Sequence, residues 1–136
     1  MNAQPSDAMM ATDALQPARA GNLVQFRMGY GLHLDLGTPD EFEVTIEQPL
    51  SVASATREWR GDPVSVESAA VLIPMLYSTV EHIAVGDRGD LSLVLGESRI
   101  RVEPHPDFEA WQARSRSGLL IVCLPGGGIS IWMPGG

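Results

Sequence analysis

No lysine occurs anywhere in the 136 residues; all nine basic side chains are arginine. With abundant alanine, glycine and arginine, this usage points to a GC-rich coding sequence rather than to a physical adaptation. Bases are also few, nine against seventeen acids, for a net charge of −8. So acidic a chain is a poor match for nucleic acid or an anionic membrane, because both are bound by neutralising phosphates. A single cysteine, Cys123, excludes an internal disulfide and any zinc site built on cysteines. No run approaches the ~18 apolar residues that span a bilayer. The N-terminal stretch lacks the basic start and continuous apolar core of a secretory signal. A reducing cytosol is the expected compartment.

What is present reads as one domain. A chain of this length buries roughly two-thirds of its unfolded surface, enough for a core without staples, and an apolar fraction of 44% argues against wholesale disorder. The organising stretch is Gly118 to Met133. Leu119–Leu124 is apolar on both faces of a strand, which predicts a central strand covered on both sides. Pro125–Gly128 turns the chain, and Ile129–Met133 returns it with Ser130 and Trp132 on the wetter face.

Ahead of this hairpin, Leu32, Leu34 and Leu36 alternate with His33 and Asp35, and Phe42, Val44 and Ile46 alternate with Glu43 and Thr45. The two runs predict a hairpin about a Thr38-Pro39-Asp40 turn, with one oily and one acidic face. Leu50–Thr56 continues as a weaker strand. Asp62-Pro63, with Ser65 as the competing cap, opens a helix of about three turns that Pro74 kinks or shortens. Further strands follow at Thr79–Val85, Leu91–Leu95, around Ile100 and Val102, and at Trp111–Arg116, with one helical turn over Asp107–Trp111. Residues 1–21 show no sustained pattern, although Ser6 can cap a short helix through Leu15; they read as a flexible tail whose removal should leave stability unchanged. The expectation is an α+β domain over residues 22–136, a curved, mostly antiparallel sheet with one main helix packed on it.

Leu91-x-Leu-x-Leu, the segment from Pro104 to Trp111, the run Ile121-Val122-Cys123-Leu124-Pro125-Gly126-Gly127, and Trp132 together resemble an uncharacterised actinobacterial family of small proteins. The resemblance covers residues 23–134 and is most specific in the C-terminal third. It implies a bacterial source and carries no activity, since that family is a domain of unknown function. In size and composition the chain is also similar to small immunity proteins of bacterial toxin systems.

The residues that could carry chemistry do not assemble into a known catalytic pattern. Cys123 lies mid-strand among apolar neighbours and reads as a small buried hydrophobe. His33, His82 and His105 show no metal-ligand spacing. Pro125–Gly128 lacks the Lys-Ser/Thr of a phosphate loop, so a turn needing positive φ explains its glycines. Glu41, Glu43 and Glu47 form a solvated acidic face. Arg99 and Arg101 flank Ile100, and Arg114 and Arg116 share a face of the next strand. If those strands pair, four guanidinium groups form a patch that either holds an anion or neutralises the acidic hairpin, neutralisation being the simpler. Trp59, between charges, is either an exposed anchor or packed at a sheet edge.

The expected function is a non-enzymatic bacterial interaction domain that binds a protein partner, in a toxin-neutralising or accessory role. That partner is basic if it meets the acids. The alternatives are a small-molecule or anion-binding domain, and an enzyme whose residues converge from distant strands. No cofactor or metal is expected. An apolar sheet edge near Trp132 would suit a homodimer.

Overall fold

In the structure, a computed structural model that describes residues 6–37 and 41–134, nearly every alternating run is a strand. The elements in chain order are α1 (Asp7–Leu15), β1 (Asn22–Met28), β2 (Leu32–Gly37), β3 (Phe42–Ile46), β4 (Leu50–Ala53), β5 (Glu58–Gly61), α2 (Val66–Leu72), β6 (Val80–Val85), β7 (Leu91–Leu95), β8 (Ser98–Val102), β9 (Trp111–Ser115), β10 (Leu120–Cys123) and β11 (Ile129–Trp132). They form two sheets, ordered β1-β2-β3-β9-β10-β11 and β5-β4-β8-β7-β6, with antiparallel neighbours throughout. The expected Thr38-Pro39-Asp40 turn lies outside the described residues.

The single curved sheet under one main helix is therefore corrected to two sheets with two short helices. Period-2 alternation explains why. In the first sheet Leu34, Val44, Ala113 and Ile121 are in register across four strands, and all are buried. In the second, Val52, Ile100, Leu93 and Ile83 do the same. Two apolar sheet faces of this size cover each other, and both contribute to one continuous core. The helix is too short for that task. Ser65, not Asp62, caps α2, accepting from the Ser68 N–H at 3.0 Å, and Asp62 instead turns the chain by accepting from the Val64 N–H at 2.9 Å. Pro74 sits in the tight turn Ile73–Met75 that ends the helix, so Ile73 is exposed rather than packed. No helical turn forms over Asp107–Trp111.

The C-terminal hairpin is displaced from the expected centre to one margin: β11 is an edge strand and β10 its neighbour. β10 is nonetheless covered on both faces. Ile121 and Cys123 enter the core, and Val122 on the other face is only 5% exposed, in register between Gln112 and Ser130. The glycines of the connecting turn have a second task besides conformation. Gly126 and Gly127 take positive φ (85° and 100°), and a Cβ on Gly127 would collide with the Arg88 carbonyl, so this turn packs backbone to backbone against the β6–β7 loop.

Residues 7–20 are not a free tail. Ser6 caps α1 as its position allows, but Ala8, Ala11, Leu15 and Ala18 then enter the core, Leu15 being fully buried. Their 3-4-3 spacing is a helical stripe that small alanines make inconspicuous. The helix also closes a sheet edge. Thr12 Oγ1 accepts from the Val85 N–H at 2.9 Å and donates to its carbonyl at 3.3 Å, and Gln16 Nε2 donates to the Ile83 carbonyl at 3.1 Å. Leu15→Ala is accordingly expected to cost about 2–4 kcal/mol, read from denaturant midpoints at constant m. Equal midpoints for the full chain and a chain starting at Gly21 would show that α1 contributes nothing to the core.

Candidate functional site

The outward face of the first sheet carries the acidic hairpin. Cross-strand register places Asp35, Glu43 and Arg114 side by side on β2, β3 and β9. The principal counter-charge comes from β1. Arg27 bonds Asp35 through Nε at 3.1 Å and Nη2 at 3.2 Å, and the same Nη2 reaches Glu43 Oε2 at 2.6 Å. Gln25 Nε2 donates to Asp35 Oδ2 at 2.6 Å. On the neighbouring row, His33 Nδ1 lies 3.0 Å from Thr45 Oγ1 and 3.5 Å from Glu43 Oε1. Arg116 Nη1 stands 3.6 Å from Glu41, both well exposed, and Glu47 is exposed at the end of β3. The acids are thus offset from within, chiefly by an arginine eight residues upstream of Asp35 that a search for bases inside the hairpin passes over.

Burial alone would raise the Asp35 carboxyl. Hydrogen bonds from Arg27 and Gln25, with the charge of Arg27, outweigh it and hold the group below the ordinary carboxylate range. A carboxyl depressed on folding contributes stability that is complete above its unfolded value, about 3.9, and is lost as pH falls through the lower folded value. Arg27→Ala is therefore expected to flatten the decline in melting temperature below about pH 4. An acid limb unchanged by that substitution would remove Arg27 as its source.

The four expected arginines do not form one patch. β8 pairs with β4 and β7, and β9 with β3 and β10, so Arg99 and Arg101 occupy one sheet and Arg114 the other, with Arg116 in the turn just past β9. The strands are consecutive in sequence, but the intervening loop carries the chain from one sheet to the other.

Arg99 and Arg101 gain a different companion, Arg60 of β5. Two rows cross the outward face of the second sheet: Arg60, Ser51, Arg101 and Ser92, then Glu58, Ala53, Arg99 and Val94. Small Ser51 and Ala53 on β4 form the floor of a cleft of about 370 Å³ between β5 and β8, lined also by Arg60, Arg99 and Arg101, with Glu58 and Trp59 on its β5 side. Arg101 Nη2 reaches Asp90 Oδ2 at 3.0 Å, whereas Arg60 and Arg99 make no ion pair among the described residues. A larger cleft, about 530 Å³, runs beside Asp35 and Glu43, but its guanidinium is already engaged by both carboxylates. Trp59 takes the core-facing side of β5, half-buried, with its ring over Gly61. Of the two readings of this tryptophan, packing at the sheet edge is the one the geometry fits. Glu-Trp-Arg-Gly has no strand-like alternation of apolar side chains, so only the register of β5 joins Arg60 to Arg99 and Arg101.

The remaining candidates are structural. Cys123 is fully buried and its thiol donates to the Gly89 carbonyl at 3.3 Å; burial pushes it up. The native chain should react with a thiol reagent only at its unfolding rate, and rapid labelling would contradict this. His105 stacks on Phe108 at 3.6 Å, and its Nδ1 accepts from the Asp107 N–H. Among the described residues no three His, Cys, Asp or Glu side chains are grouped so as to hold a metal, and no helix is long and apolar enough to cross a membrane.

A comparison with curated proteins finds no match, and neither does one with solved structures. A family model does match, over residues 14–133, so the similarity begins inside α1, ahead of the expected start at residue 23. The sheets, the arginine cleft and the end of α1 all lie within that span, and the chain belongs to this family of unknown function, DUF6188.

Proposed function

We propose that the chain is a non-enzymatic interaction domain that binds a protein partner through the arginine face of the second sheet, and that the docking segment of the partner is acidic. One observation carries this reading: Arg60 and Arg99 stand over a floor of small side chains, and among the described residues no carboxylate is paired to either. Guanidinium forks bind carboxylates in two parallel hydrogen bonds, and arginine is favoured where charge is recognised at an interface. A basic partner for Glu41, Glu43 and Glu47 has less support, because Arg27, Arg114 and Arg116 lie against that face. The actinobacterial source rests on the resemblance carried by the C-terminal third, and the arginine-only usage agrees with a GC-rich genome. The cytosolic setting rests on the one unpaired cysteine.

The direct test titrates a labelled glutamate-rich peptide into the full chain and follows anisotropy. Arg60→Glu with Arg99→Glu is expected to weaken binding by at least about tenfold, since each places a like charge at the contact. The melting temperature should not move, both side chains being exposed. Arg116→Glu, just past β9 of the other sheet, is the control and should leave affinity unchanged. Added salt should weaken binding. Equal loss in the control variant, or no binding at low salt, would sink the reading. Saturation by a small dicarboxylate as readily as by the peptide would favour a small-anion site in the same cleft, whose volume falls in the small-ligand range.

A further inference from the structure

We infer that the acidic segment docks in extended form, as a sixth strand on the open edge of β5. This rests on the arginine-face reading and adds the mode of binding. The second sheet ends in β5 on one side and β6 on the other. The β6 edge is closed by Thr12 and Gln16, which take up the Val85 N–H and carbonyl and the Ile83 carbonyl. No side chain among the described residues does the same for Glu58 or Arg60.

The register shows which backbone groups that edge offers. Ser54 N–H donates to the Arg57 carbonyl at 2.8 Å, and the pairing continues without a shift through Ala53–Glu58, Val52–Trp59, Ser51–Arg60 and Leu50–Gly61. Opposed residues in an antiparallel pair alternate between hydrogen-bonded and non-hydrogen-bonded. Counting from Ser54–Arg57, Trp59 and Gly61 bond inward to β4, so Glu58 and Arg60 turn their N–H and carbonyl groups outward. Their side chains lie on the outward face of the sheet, the face of Arg99 and Arg101.

An added strand therefore sets its own hydrogen-bonding residues directly against Arg60 and Glu58, side chain beside side chain. An acid is attracted opposite Arg60 and repelled opposite Glu58. In an antiparallel arrangement the residue facing Arg60 comes first in the partner, so the preferred pattern is Glu-x-Lys. Lys-x-Glu is disfavoured in that orientation. The edge is short and charged, features that blunt indiscriminate pairing. Here the charges also select which segment gains by adding.

Extended acidic heptapeptides with Val-Glu-Val-Lys-Val at their centre and a Glu at each end, titrated into the full chain, test this. Methylating the backbone nitrogens of the central Glu and Lys removes the two donors aimed at β5 and should weaken binding about tenfold or more. Methylating the Val between them, whose N–H points away from β5, should change affinity by no more than about threefold. The Lys-x-Glu isomer should bind more weakly than Glu-x-Lys. On the protein side, Glu58→Pro removes an outward N–H at a position where an edge strand tolerates proline. It also removes the charge facing the peptide's Lys, so Glu58→Gln is the reference: weaker binding by Glu58→Pro than by Glu58→Gln is a backbone effect. Equal effects of the two methylated peptides, with Arg60 and Arg99 still required, would overturn strand addition and leave the arginine face standing. No binding of any acidic peptide would overturn both.

Discussion

The carbonyl oxygen of Gly89 holds the two sheets at one end of the sandwich. It accepts the indole N–H of Trp111 at 2.9 Å and the thiol of Cys123 at 3.3 Å, both from the first sheet, while itself belonging to the β6–β7 loop of the second. Trp111 is 1% exposed, so its one donor must be paired inside the protein or cost the full penalty of a buried unsatisfied group. The pairing is possible only because Gly89 and Gly127, both at positive φ, let two loops meet without side chains between them. With Trp111 pinned, the register of β9 is fixed: Ile46 opposite Trp111 sets Glu43 opposite Arg114. The charge pattern on one outer surface thus follows from a hydrogen bond in the core.

That pattern divides the molecule unequally. The first sheet's outward face holds most of the hairpin acids and offsets them with Arg27, Arg114 and Arg116. The second sheet's outward face holds three arginines, of which, among the described residues, Arg101 alone is paired. On a chain of net charge −8, such a face is a local reversal of sign. At physiological ionic strength charges more than about 8 Å away are largely screened, so a segment in contact with Arg60 senses that arginine more than the distant acids. The surplus acids make copies of the chain repel one another at long range, an effect separate from the local field at Arg60.

Local pattern made the regular strands legible and left their partners obscure. Leu32–Leu36, Phe42–Ile46 and Leu91–Leu95 were readable because period-2 alternation is written in adjacent residues. β1 was harder, since only Leu23 of its seven residues is buried. The packing face of α1 is inconspicuous in the sequence because small alanines carry most of its stripe. The sheet assignment of β8 and β9 is a non-local fact, and nothing within either strand states which sheet it joins. Hence the sequence shows Arg99, Arg101, Arg114 and Arg116 as individual residues, and register alone shows that the first two do not share a face with the last two. Arg27 and Arg60, which complete the two faces, are identified only by register.

The weakness of β5 as a sequence signal and its suitability as a docking edge have one physical origin. Four residues long, it sends only Trp59 toward the core, and that side chain remains half-buried. A strand so lightly anchored contributes little to the sheet and opens at low cost relative to the central strands. Burial cannot have selected Glu58 and Arg60, which face solvent. Their backbone groups do not close the sheet either, since they point away from it. The opposite edge, β6, is sealed by α1, with Leu15 buried beneath it. Among the described residues, β5 is the edge of this sheet that combines outward-directed backbone groups with an arginine in no ion pair.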